Sequence, residues 1–425
     1  MVTYPSDSKE IMALIDGDWE EKALEDICVQ NGLVRGPFGG SLKKDMFVSK
    51  GNKVYEQRNA IYKSVKIGNY YVTDEKYNEL SRFAVKANDF IISCSGTIGK
   101  IYKIPLHHPK GIINQALLKV TIDIDKCDLG YFYRYFEWDE FQDRIIDDTQ
   151  GGAMKNLVGM DVFRKTLIRM PKDIKEQQAI ASVLSDFDEH IDNLTELIEK
   201  KKAIRDGALE DLVSGKTRLC GFDGEWETVA FNDVITPKAR IGWQGLKKDE
   251  YLTRGYSYLI GGTDFQSGTI NFNDISYVAK DRYEMDSNIQ VEQDDVLVTK
   301  DGTIGKVALV PEIDKPATLN SGVFVFRTKA RLKSIFLFRI LMSSVFRDFI
   351  AILSAGSTIK HLYQKDLKNF EFKIPVDIAE QQAIAQVLTA MDEEIESLET
   401  EKAKMMGIRE GAMDDLLTGR VRLKV

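Results

Sequence analysis

EQQAIASVLSDFDEHIDNLTELIEKKKAIRDGALEDLVSG, residues 176–215, comes back as EQQAIAQVLTAMDEEIESLETEKAKMMGIREGAMDDLLTG, residues 380–419. In the first copy Ile180, Leu184, Phe187, Ile191, Leu194 and Ile198 stand alternately four and three apart, which draws one apolar stripe along a helix. Ile384, Leu388, Met391, Ile395 and Leu398 repeat the stripe in the second. An uninterrupted helix of this length reaches roughly 60 Å, so each copy is predicted to act as spacer as well as core. The two helices are expected to pair along this seam. The stripe weakens at Lys201 and Arg205, and at Lys402 and Arg409, and beyond it Gly207 and Gly411 fall at matching places. A kink or tight helix crossing is predicted there.

The duplication extends outward from the helices. KANDFIISCSGTIGKIYKIP, from Lys86, returns as EQDDVLVTKDGTIGKVALVP, from Glu292, at nearly the same offset as the helices. About half the chain is therefore written twice. Each half opens on a tryptophan-bearing turn, residues 17–20 and 224–227. A glycine-rich basic loop follows, Arg35 to Lys44 in one half and Arg240 to Lys248 in the other. After GTIGK come an apolar strand (112–120, 318–326) and an amphipathic helix (129–146, 332–353). A second glycine-containing loop carries Lys155 or Lys360, and a short strand ends at Pro171 or Pro375 before the long helix. This predicts globular domains at 1–170 and 218–374 and spacer helices at 171–217 and 375–425. The chain stops at Arg422-Leu423-Lys424-Val425 where the first half continues into Cys220-Gly221-Phe222, and what is missing resembles residues 14–19. The ends are expected to meet. The predicted fold class is α+β: two mixed α/β domains in pseudo-twofold arrangement, joined by two long antiparallel coiled-coil helices in a pseudo-cyclic chain. Between the basic loops and GTIGK the halves diverge, as two domains recognising different things would, and as surface strands under relaxed constraint would too.

Composition bounds the function. At 425 residues and 43% hydrophobic content the chain can bury substantial cores. Residues 1–17 lack a basic segment followed by an apolar one, and the most apolar stretch, 334–350, is broken by Arg339, Arg347 and Asp348, so neither a secretory signal nor a membrane span is expected. Cys28, Cys94, Cys127 and Cys220 show no metal spacing and are expected as free thiols of a reducing cytoplasm. The net charge of -8 argues against indiscriminate nucleic-acid binding but leaves room for a basic face. Asp186, Asp188, Glu189 and Asp192, with Asp392, Glu393, Glu394 and Glu396, form either a solvated face or a docking face on the long helices.

GTIGK is not a phosphate-binding P-loop, because Cys94 or Lys300 takes the place of the first glycine and Ile101 or Val307 follows the lysine. It reads as a hairpin turn with glycines at positive φ, and Lys100 and Lys306 are placed to touch phosphates. The four histidines have no metal spacing or triad context, and no dinucleotide fingerprint occurs, so no catalytic set is predicted. The loops are the best candidates for ligand contact, able to bring charge and backbone N–H groups to phosphates. Arg35, Lys43, Lys44, Lys155, Arg240, Lys247, Lys248 and Lys360 offer charge, and Gln57, Arg58 and Gln244 can reach base edges. Phe38, Tyr55, Trp243 and Tyr256 are candidate stacking residues.

GPFGGSLKK (36–44), YEQRNAIY (55–62), both GTIGK turns, both PxDIxEQQAIAxVL helix starts and the closing SGKTRL and TGRVRL resemble a type I restriction-modification specificity subunit, over the whole chain. That resemblance implies two target recognition domains, each reading one half of a split, asymmetric site in double-stranded DNA, with the helices as ruler and as docking site for two modification subunits. It implies a cytoplasmic, non-catalytic subunit that binds no cofactor: S-adenosylmethionine serves the modification subunits, and ATP the restriction subunits. A system with modification and cleavage fused in one partner, and a coiled-coil scaffold with protein-binding ends, remain as alternatives at this point.

Overall fold

The computed structural model describes residues 18–147, 156–240, 245–355 and 361–424. The chain divides into two compact units, residues 1–194 with 401–425, and residues 195–400. Each long helix, Ile174–Val213 and Ile378–Leu417, is continuous over 40 residues and is divided between the units. A unit therefore holds one mixed α/β domain, the start of one long helix and the end of the other.

In the first unit a four-stranded antiparallel sheet runs in the order Cys28–Arg35, Leu117–Ile122, Phe90–Ser93, Ile101–Lys103. Asn52–Tyr55 forms a second sheet with Tyr71–Val72 and, in parallel, with Gly111–Ile113. Every side chain of the strand FIIS is buried, three of them apolar, because both faces of its sheet are covered. Phe90 and Ile92 face a core with Phe132 and Phe136, whereas Ile91 joins Tyr55, Ile104 and Ile113. The second unit repeats this with Ile235–Ala239, Val323–Thr328, Val296–Thr299 and Val307–Leu309, and with Ser257–Ile260 parallel to Ala317–Leu319. Val296 and Val298 again face one core and Leu297 another.

Several elements depart from the sequence expectation. The tryptophan turns are strands, Trp19–Ala23 and Trp226–Ala230, paired antiparallel with Leu167–Pro171 and Glu371–Pro375. The stretch 112–120 is two strands in two sheets, because Asn114 accepts from the Ala116 amide and turns the chain between them. Asn320 does the same before Val323–Thr328. The helix predicted at 129–146 breaks at Trp138, in extended conformation, and its counterpart breaks at Ser343.

Within each unit the long helices run antiparallel. In the first, Asp188 meets Arg409 at 2.5 Å and Glu176 meets Arg422 at 2.6 Å. In the second, Asp392 meets Arg205 at 2.5 Å and Glu380 meets Arg218 at 2.6 Å. Asp188 and Asp392 also accept from Arg134 and Arg339 of their own domains. These two acids are thus spent on internal clamps, as is Glu394 on Lys201 at 2.6 Å; Asp186, Glu189, Asp192, Glu393 and Glu396 stay exposed. Lys201, Arg205 and Arg409, at the weak end of the stripe, are interhelical ion-pair partners, which is why apolar spacing fails there. No tight crossing forms: a Cβ at Gly207 or Gly411 would meet nothing within 4 Å.

The seam residues are placed unevenly. Ile180 and Leu184 are fully buried in the first unit's main core together with Leu416 and Leu417, and Ile384 and Leu388 are buried in the second's with Leu212 and Val213. Phe187 and Met391 pack against those cores. Leu194, Ile198 and Ile395 are buried outside them, and Ile191 and Leu398 are half-buried. The chain ends do come together: Arg422 lies over the Trp19 ring at 5.8 Å and 3.7 Å from Asp18, as Arg218 lies over Trp226.

Burial also orders the thiols. It pushes Cys28 and Cys94 up to about 12 and raises Cys127 as well, whereas Cys220 is exposed. Since the thiolate is the nucleophile, the native protein is expected to take up one equivalent of iodoacetamide, at Cys220. Mass mapping that found Cys94 or Cys127 labelled as fast would contradict this burial.

Candidate nucleic-acid interface

Strand direction brings the loops of each unit to one edge. In the first unit Arg35 pairs with Leu118, Ser93 with Leu117 and Tyr55 with Ile113, so three strands end where Leu117–Ile122 begins. The Gly36 amide donates to Leu117 O, Cys94 N to Ala116 O and Asn114 N to Tyr55 O. A side chain at Gly36 would fall 1.8 Å from the Asn114 carbonyl, so only glycine lets this loop leave the sheet here. The second unit builds the same edge from Arg240, residues 261–264, 300–306 and 320–322.

At this edge the GTIGK turns are hairpin turns. Gly96, Gly99, Gly302 and Gly305 have φ between +67° and +83°. The Lys100 and Lys306 amides donate to Ser93 Oγ and Thr299 Oγ1, and both lysine side chains are exposed. Leu42 is buried among Val54, Val72 and Ile112 and pins the first basic loop, leaving Lys43 and Lys44 in solvent. Lys247 and Lys248 are exposed as well, on a loop held by Arg282 through Glu250 at 2.8 Å and the Gly245 carbonyl. Among the described residues no carboxylate lies within ion-pair distance of Lys43, Lys44, Lys100, Lys247, Lys248 or Lys306.

Gln57 and Arg58 open a short helix on this edge. Glu56 and Asn59 cap it reciprocally, and the fully buried Asn59 also donates to Ser64 O and Ile67 O. The Gln57 amide stands beside Gly96, its Oε1 buried without a partner among the described residues, and Arg58 is exposed. Arg35 is half-buried, with its charge close to the Cys94 thiol.

Other candidates differ in exposure. Arg240 is only 3% exposed and donates to Leu319 O and Thr318 Oγ1, which ties the sheet edge together from inside. Tyr55 is fully buried, its hydroxyl on Pro109 O at 2.7 Å, because every side chain of Asn52–Tyr55 is covered. Phe38 and Tyr256 are exposed, at 68% and 42%. Lys155, Trp243, Gln244 and Lys360 lie outside the described residues. Sequence reasoning passed over Asp301 and His361, whose signal was the acid standing in one copy of the turn where the other has Ser95.

The geometry defines a duplicated α+β chain with a free-lysine loop edge on each unit. The family model for the type I restriction modification DNA specificity domain matches the chain twice, over residues 16–203 and 224–405. The chain belongs to that family and is a type I restriction-modification specificity subunit, a class of non-catalytic recognition components. It is 27% identical over 359 residues to the type I restriction enzyme MjaVIII specificity subunit of Methanocaldococcus jannaschii, covering 80% of each chain. The fold is similar to the S subunit of a type I restriction-modification system from M. genitalium, with TM-score 0.55, 17% identity and 94% and 96% of the two chains covered. It is also similar to a chain from a structure on complex assembly and conformational transition of a type I system, with TM-score 0.60, 13% identity and 94% and 97% covered. No helix among the described residues is long and apolar enough to cross a membrane.

Proposed function

We propose that each unit reads one half of a split, asymmetric site in double-stranded DNA, and that the two long helices serve as ruler and as docking site for two modification subunits. Restriction subunits complete the complex. This chain binds no cofactor of its own in that scheme: S-adenosylmethionine and ATP are used by its partners, in the cytoplasm. The observation that carries the reading is one edge built twice with different furniture. Where the first unit has Gln57, Arg58 and Ser95, the second has Gly262, Thr263 and Asp301. Equivalent frames give two half-sites, and unlike side chains make them differ.

The test is the pattern of adenine methylation in cells carrying this subunit and its modification partner. A two-part motif that disappears on deleting the subunit is expected; an unchanged methylome with an active partner would refute the reading. The unpaired lysines supply the non-specific part of binding, because each phosphate neutralised releases counterions. Replacing Lys43, Lys44, Lys247 and Lys248 together by alanine is expected to weaken binding equally on cognate and unrelated DNA. It should also flatten the slope of log K against log salt by up to about 3.6. An unchanged slope would remove these lysines from the interface.

A further inference from the structure

Asp301 is an acid where a polyanion is expected. It opens the second GTIGK turn, between Lys300 and Gly302, on the edge that carries the exposed Lys306. Its Oδ1 lies 2.5 Å from His361 Nδ1, and the two residues pair as an isolated antiparallel bridge, extended by the Leu362 amide donating to Lys300 O at 2.8 Å. The side chains remain 36% and 51% exposed, so the pair is fixed in position yet open to solvent. No described residue donates to Oδ2.

A carboxylate on this edge is repelled by phosphates and gains only from a donor. In the major groove cytosine offers the N4 amino group alone, adenine offers N6 beside the acceptor N7, and guanine and thymine present acceptors at the corresponding place. With Oδ1 held by His361, one acceptor oxygen is left, which matches a single donor. We infer that Asp301 is a base-reading residue of the second unit, selecting cytosine through its N4 amino group, with His361 as the positioning residue that fixes the carboxylate. Ser95, at the equivalent place in the first unit, can donate as well as accept and so imposes no such choice.

The inference rests on the DNA-reading function proposed above, and one experiment separates the two. Methylated motifs are mapped in cells expressing the modification partner with wild type, Asp301→Asn, His361→Ala or His361→Asn. If wild type yields no two-part motif, the function itself fails. Given that motif, Asp301→Asn is expected to relax one cytosine position in one half by about tenfold and to leave the other half unchanged. His361→Ala should relax the same position by less, and His361→Asn, whose amide still donates, should restore it. An identical motif in Asp301→Asn overturns the assignment. So does a uniform loss of methylation with an unchanged melting temperature, since that would mark a role in affinity and not in base choice.

Discussion

Arg218→Ala is expected to destabilise the second unit by about 3 kcal/mol. Glu380 keeps only 1% of its side chain exposed and receives Arg218 in a fork, Nε to Oε1 at 2.6 Å and the terminal nitrogen to Oε2 at 2.8 Å. Deleting the arginine leaves a buried carboxylate with only the Trp226 indole, at 3.4 Å, as side-chain donor among the described residues. For a unit of this size the melting transition should fall by roughly 6–12 °C. Glu380→Gln, which removes the charge and keeps the shape, should cost less, and adding it to Arg218→Ala should recover part of the loss. If calorimetry found Arg218→Ala within experimental error of wild type, the fork would be ornamental. Arg422→Ala, facing Glu176 in the first unit, is expected to behave alike.

Leu184→Ala and Leu388→Ala should each cost about 2–5 kcal/mol by opening a cavity. Both leucines are fully buried at equivalent points, where a long helix enters the core of its recognition domain. Leu197, on the same helix as Leu184 but 38% exposed, is the control and should stay within about 0.5 kcal/mol when truncated. Equal, small losses at all three positions would mean that the helices rest on the domains without being part of their cores.

The duplicated plan, the long helices and the glycine turns were legible because each writes a local signature: a repeat offset, a four-three spacing, a glycine demanded by positive φ. What escaped depends on which neighbour covers a residue. Ile112 to Val120 is one apolar run in sequence, yet Asn114 hands it from one sheet to another. Tyr55 carries an interface-type side chain but sits on a strand whose side chains are all covered, and Arg240, just past Ile235–Ala239, turns its guanidinium inward to Leu319 O. Gly207 and Gly411 suggested close approach, and face open space. On the candidate edge, the exposure of the lysines followed from residue type and loop context, whereas the pairing of Asp301 with His361, 60 residues away, is supplied only by folding.

The division of both helices between the units has a consequence for synthesis. Residues 195–400 form one unit as an unbroken stretch, but the other unit needs residues 401–425 to cap a core begun at Trp19. Its closing contacts span long separations: Trp138 waits for Asp414, Glu176 for Arg422, and Asp18 and Trp19 for Arg422 as well. On the ribosome, where earlier segments fold as they emerge, the unit started first must stand incomplete until the whole of the other has been made. Its exposed Ile180 and Leu184 are the surface that a nascent-chain chaperone would meet during that interval.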